Sequence, residues 1–111
     1  MFYRIILTVF LTHLTSTAPL VDANPIRYIA IGDSYTVATG IEEKDSWPSQ
    51  LTQKLKSAGI EINLIEILGM RGATSQQTLN EVMPQLKNLK PGFITLLIGV
   101  NDWIREGISS S

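Results

Sequence analysis

The chain has 111 residues, with 9 Lys and Arg against 10 Asp and Glu and a formal net charge of −1. That length holds at most one domain, and the near-neutral balance, with no Lys/Arg run, leaves no electrostatic footprint for nucleic acid. No cysteine is present and the apolar fraction is 44%. This excludes a disulfide framework, a thiolate metal site and a lipid-bearing cysteine, and argues against disorder.

The opening stretch, 1–23, reads as a secretory signal peptide. Arg4 gives a positive start, Ile5 to Leu14 an apolar core interrupted by Thr8, Thr12 and His13, and Val21-Asp22-Ala23 an A-x-A-like cleavage site. The core is shorter than the ~20 apolar residues of a transmembrane helix. An exported protein, secreted or periplasmic and without a stable membrane span, is therefore expected, with an uncleaved surface anchor as the alternative. Cleavage after Ala23 removes His13, the single histidine of the chain. The remainder, 24–111, is expected to form one α/β unit.

Within it, Tyr28 to Ile31 reads as a buried strand that breaks at Gly32-Asp33-Ser34-Tyr35, where the glycine lets the chain turn sharply. Asp33 and Ser34 are also ordinary turn and cap residues. The charged run Glu42 to Asp45 marks an exposed loop. Asp45 and Ser46 then offer N-caps with Pro48 in the first helical turn, and Trp47, Leu51, Leu55 and Ala58 make an apolar stripe that Gly59 ends. Trp47 is read as a packing anchor.

A second strand runs from Ile60 to Leu68 and breaks at Gly69-Met70-Arg71-Gly72-Ala73. Thr74 with Gln77 forms a capping box for a helix whose buried face is Leu79, Val82, Met83, Leu86 and Leu89, and Pro91-Gly92 stops it. Phe93 to Ile98 is nearly continuous apolar sequence, which predicts a parallel strand covered on both faces; it exits at Gly99-Val100-Asn101-Asp102. The order β-α-β-α-β with right-handed crossovers places all three strand exits on one sheet edge, where α/β proteins collect ligands and chemistry. Neither G-x-x-x-x-G-K-[ST] nor G-x-G-x-x-G occurs, which speaks against a nucleotide-binding module.

Ser34, Gly72 and Asn101 each follow one of these strands. Acyl transfer needs a nucleophilic oxygen and donors aimed at the negative charge that develops on the carbonyl oxygen. A serine hydroxyl, the backbone N–H groups of Ser34 and Gly72, and the uncharged amide of Asn101 match that requirement. Gly32-Asp33-Ser34, Gly72-Ala73-Thr74-Ser75 and Gly99-Val100-Asn101-Asp102 together resemble the first three sequence blocks of the SGNH (GDSL-type) hydrolases, in the family's order. The resemblance covers roughly Arg27 to Trp103. It implies a flavodoxin-like three-layer α/β/α fold with parallel sheet, of which this chain holds the first three strands. It further implies a serine hydrolase of small-molecule, lipid or sugar esters or thioesters that uses no cofactor and no metal, which the signal-like 1–23 would export. By the same resemblance Ser34 is the nucleophile, and Gly72 and Asn101 complete the oxyanion hole.

Two departures qualify it. Tyr35 stands where the GDSL name has leucine, and the family's late Asp-x-x-His block does not occur in 24–111. No histidine follows Ser34, and the nearby Asp33 and Asp102, with an ordinary carboxylate pKa of ~4, are poor bases for a serine hydroxyl. Turn and loop hydrogen bonding is the expected role of both. The chain by itself is accordingly expected to lack measurable esterase activity, and a third strand with no neighbour beyond it is expected to leave an aggregation-prone apolar edge. The alternative function is a catalytically inactive fragment or split-gene product that keeps part of the fold.

Overall fold

The computed structural model of the protein describes residues 24–106. The leader expected at 1–23 lies outside them. A parallel three-stranded sheet in the order β2-β1-β3 forms the middle layer, from β1 (Ile26–Gly32), β2 (Ile62–Gly69) and β3 (Phe93–Leu97). β1 is the central strand, and Tyr28, Ile29, Ala30 and Ile31 are all at most 1% exposed. Strand alternation sorts these side chains to two faces. Tyr28, Ala30 and Ile62 pack with Leu51 and Leu55 of α1 (Trp47–Ser57). Ile29, Ile31 and Leu68 pack on the other face with Val82, Leu86 and Leu89. Helices thus cover both faces, giving the three-layer α/β/α arrangement expected of the chain.

α1 begins and ends as its sequence dictates. Ser46 is the N-cap, accepting from the Ser49 N–H, with Pro48 in the first turn. At the other end Gly59 takes φ +87. Its N–H bonds to the Lys56 carbonyl, and the Ile60 N–H reaches back to Leu55, the paired bonds of a Schellman motif. Ala58 is the C-cap and is exposed, so the buried stripe is Leu51 and Leu55 rather than extending to Ala58.

β2 starts at Ile62, two residues later than its apolar pattern suggests. Tyr28 pairs with Leu64 but Ile29 pairs with Glu66, so Ile65 is an extra residue in the ladder. The bulge explains why the apolar positions change phase, with Ile62, Leu64 and Ile67 facing α1 while Ile65 and Leu68 face the other layer.

The second helical stretch departs most from expectation. It is not one helix but a short α2 (Ser75–Gln77), a π-helical turn (Thr78–Val82), a 3-10 turn (Met83–Gln85) and α3 (Leu86–Leu89). Pro84 is the cause, since it cannot donate to the preceding turn and its ring displaces the carbonyl it would bond. The change in phase leaves Leu79 and Met83 exposed while Val82 is buried. The α3 C-terminus is tied to β1 by the Arg27 guanidinium, which donates twice to the Leu89 carbonyl at 3.0 and 2.9 Å.

β3 pairs with β1 alone, and Phe93, Ile94, Leu96 and Leu97 are 39 to 58% exposed. The expectation of a strand covered on both faces is therefore not met among the described residues, because α1 and the α2–α3 layer sit over β1 and β2. Among the described residues no helix is long and apolar enough to cross a membrane. α4 (Val100–Glu106) follows β3.

Inside the α1-facing layer the Tyr28 hydroxyl shares a 2.7 Å hydrogen bond with Thr95, and its ring lies 5.0 Å from that of Phe93. Burial raises the Tyr28 pKa from the ordinary 10.0, and the Thr95 bond opposes that only in part. Folding thus favours the neutral phenol. Its contribution is fully present below pH 10.0 and is lost as pH climbs through the raised value. Tyr28→Phe should cost about 1 kcal/mol at neutral pH, and urea titrations at increasing alkalinity should show a shallower loss of stability than in the parent chain.

Candidate active site

β1 ends at Gly32, whose register partners are Gly69 on β2 and Leu97 on β3. A Cβ at Gly32 would lie 2.6 Å from the Leu97 carbonyl oxygen and press into the Thr36 hydroxyl. One at Gly69 would run into the Gly32 carbonyl oxygen and lie 2.9 Å from Val37 Cγ1. The backbones at this edge approach more closely than side chains allow. Because the chain crosses from β2 over β1 to β3, this edge is also the topological switch point of the sheet.

Ser34 stands immediately beyond, half-buried, on a turn built by Asp33. Asp33 is 1% exposed. Its Oδ1 accepts from the Tyr35 N–H at 3.0 Å, and its carbonyl accepts from Thr36 and Val37, each at 3.0 Å. This Asx-type turn occupies the carboxylate with backbone. The exposed Tyr35 ring points away into solvent at 69% exposure.

Gly72 lies in the loop after β2 with φ +71, the left-handed conformation that favours glycine. The Arg105 guanidinium of α4 covers the position where its Cβ would be. Asn101 sits in the first turn of α4, half-buried, and its Nδ2 donates to the Ala73 carbonyl at 3.0 Å. Next to it, Asp102 accepts from the Ser75 N–H and hydroxyl. Thr74 and Gln77 form the expected capping box at the start of α2.

The structure thus brings the Gly72 and Asn101 loops into direct contact through Ala73 and Ser75. It places Ser34 on the turn just past the end of the central strand, at the same edge. Among the described residues no three His, Cys, Asp or Glu side chains gather as a metal site. Sequence reasoning missed the links from Asn101 to Ala73 and from Asp102 to Ser75. No local pattern signals them, because each joins residues more than 25 positions apart.

The family model of GDSL-like lipases and acylhydrolases matches residues 30–111. The chain belongs to this family. Solved structures of SGNH-type esterases share its fold. The psychrotrophic esterase EstA from Pseudoalteromonas sp. is 25% identical over 72% of this chain and 43% of that one, with a TM-score of 0.61. AlinE4, an SGNH-hydrolase family esterase, is 26% identical over 75% of this chain and 44% of its own, with a TM-score of 0.64. A Clostridium thermocellum family 3 carbohydrate esterase is 26% identical over 76% and 48%, with a TM-score of 0.67. The chain spans less than half the length of each of these SGNH structures. A comparison with curated protein sequences finds no significant match.

In this GDSL-like chain the packing beneath Ser34 has a measurable weak point. The Thr36 hydroxyl is buried without a hydrogen-bond partner, pressed against Gly32. Thr36→Val replaces an unpaired polar atom by a methyl of similar size and should stabilise the fold by up to about 1 kcal/mol. Gly32→Ala forces a Cβ into the backbone of β3 and should cost about 3 kcal/mol or more. Urea denaturation midpoints of the two variants, moving in opposite directions, check both.

Proposed function

We propose that this chain is the N-terminal part of an exported ester hydrolase in which Ser34 is the nucleophile. The observation that carries the reading is the convergence at one sheet edge of Ser34, held on the Asp33 turn, with a Gly72 loop clasped by Asn101. Membership of the lipase and acylhydrolase family and the esterase identity of the related structures support it.

In this reading the Ser34 hydroxyl attacks the ester carbonyl carbon while a general base takes its proton. Charge on the carbonyl oxygen is met by the N–H groups of Ser34 and Gly72 and by the second Nδ2 hydrogen of Asn101. The first of those hydrogens is already given to Ala73. Collapse of the tetrahedral species expels the alcohol, which takes up the proton, and water then releases the acid from Ser34 by the same steps. The substrate is a small-molecule, lipid or sugar ester. The apolar leader within 1–23 supports export.

The base is the distinguishing matter. The single histidine of the sequence, His13, precedes Ser34 and falls in the leader. We therefore assign the base to polypeptide not contained in 24–111, and the alternative reading is an inactive fragment of the same fold. Loss of the base in serine hydrolases lowers turnover by roughly 10⁴ to 10⁶. The 111-residue chain should accordingly show no measurable turnover of p-nitrophenyl acetate. Joined to an Asp-x-x-His-bearing C-terminal half of a related esterase, it should be labelled by a fluorophosphonate at Ser34, and Asn101→Ala in that protein should lower turnover roughly 10²- to 10³-fold. Labelling that persists in Ser34→Ala overturns the assignment of the nucleophile.

A further inference from the structure

Asp102 and Asn101 occupy neighbouring positions in the first turn of α4, yet each reaches a different residue of the loop after β2. Asn101 Nδ2 donates to the Ala73 carbonyl at 3.0 Å. Asp102 Oδ1 accepts from the Ser75 N–H at 2.9 Å and from the Ser75 hydroxyl at 2.9 Å, while Oδ2 takes the same N–H at 3.1 Å. The two side chains therefore grip the loop on either side of Thr74. Thr74 itself is buried at 5% exposure and locked from within, its N–H donating to Gln77 Oε1 at 3.0 Å and its Oγ1 accepting from the Gln77 N–H at 3.2 Å. Ala73 is 1% exposed. The α4 end of the grip is closed by the Asp102 N–H, which donates to the Gly99 carbonyl at 3.1 Å.

We propose that Asp102 is a positioning residue for the oxyanion donors: by holding Ser75 it fixes both the Asn101 amide and the Gly72–Ala73 backbone in one arrangement. The inference rests on the catalytic reading of Gly72 and Asn101 given above for its purpose, though not for its geometry. An amide nitrogen carries two hydrogens in a plane. Committing one to Ala73 leaves the other with a single direction, provided the loop bearing Ala73 cannot shift relative to α4. The Asp102 contacts to Ser75 supply that condition. A carboxylate suits the task because it is purely an acceptor with capacity for both Ser75 donors, and such charge-assisted bonds are about twice as strong as neutral ones. Asparagine at 102 could keep both donors on its one oxygen but would lose the charge, and would turn an N–H toward the Ser75 N–H in place of Oδ2.

The clamp is tested on the full chain by NMR, with no need for turnover. In the parent protein the two Asn101 Nδ2 protons should be well separated, and the Ser75 amide should exchange slowly with solvent. Asp102→Ala should accelerate Ser75 exchange roughly 10- to 100-fold and bring the Asn101 protons together, while the β1 amides of Ile29 and Ile31 keep their protection. Ser75→Ala, which removes only the hydroxyl contact, should shift both readouts part of the way, and Ser75→Thr should restore them. If Asp102→Ala unfolds the sheet, so that β1 protection is lost, the Ser75 pair still decides the matter. Unchanged Asn101 resonances and Ser75 exchange in the substituted chains overturn the proposal, as does unprotected Ser75 in the parent. Fluorophosphonate labelling of Ser34 in the protein joined to the Asp-x-x-His-bearing half is a separate readout: a clamp that loosens as expected in the chain, beside an unlabelled Ser34 in the joined protein, sustains the positioning contact and removes the catalytic reading.

Discussion

The arrangement depends on how closely three backbones meet where β1 ends. Gly32 and Gly69 are opposite one another in the ladder, and the Gly32 carbonyl lies where a Cβ of Gly69 would stand. Parallel strands ordinarily separate as they leave a sheet, and side chains at their last residues widen the gap. Here the glycines at 32 and 69 carry no such side chains, and the Asp33 turn and the Gly72 loop leave the edge from closely approaching backbones. The polar groups of the Gly72 loop and of α4 then meet at Ala73 and Ser75, beside the Asp33 turn at the same edge.

The same economy governs the carboxylates of the edge. Asp33 and Asp102 both stand beside groups of chemical interest, yet the hydrogen bonds their carboxylates accept come from backbone N–H groups or a serine hydroxyl. A buried carboxylate is costly unless its oxygens accept hydrogen bonds, and Asp33 at 1% exposure meets that condition by building the turn on which Ser34 stands. These acids shape the loops, and the proton-transfer chemistry of the proposed hydrolase falls to another group.

Much of the fold was legible in the chain because the signals were local. Thr74 with Gln77, Ser46 with Pro48, and Gly59 behind Leu55 each dictate a helix end through contacts within a few residues. The buried β1 run was equally plain. What escaped were effects of phase and of distance. Pro84 lies within a convincing apolar periodicity and breaks the helix into three kinds of turn, which the periodicity does not reveal. The half-exposed state of β3 depends on what lies beside it, and an apolar run carries no record of its neighbours. At the candidate site the three glycine-punctuated exits could be placed on one edge from topology, while the Asn101 and Asp102 contacts required the register between elements.

The bulge in β2 sets that register. Ile65 is one residue more than the ladder with β1 accommodates, and only by looping it out does Gly69 arrive opposite Gly32. Changes of length in this strand and in the loop after it are therefore not equivalent. A deletion of Ile65 would leave a regular strand with the same faces and the same glycine pair, at the expense of one core side chain. A deletion between Gly69 and Gly72 would leave the sheet whole and draw the Gly72 amide back from the edge. Recombination or design on this scaffold has a residue of slack on one side of Gly69 and none on the other.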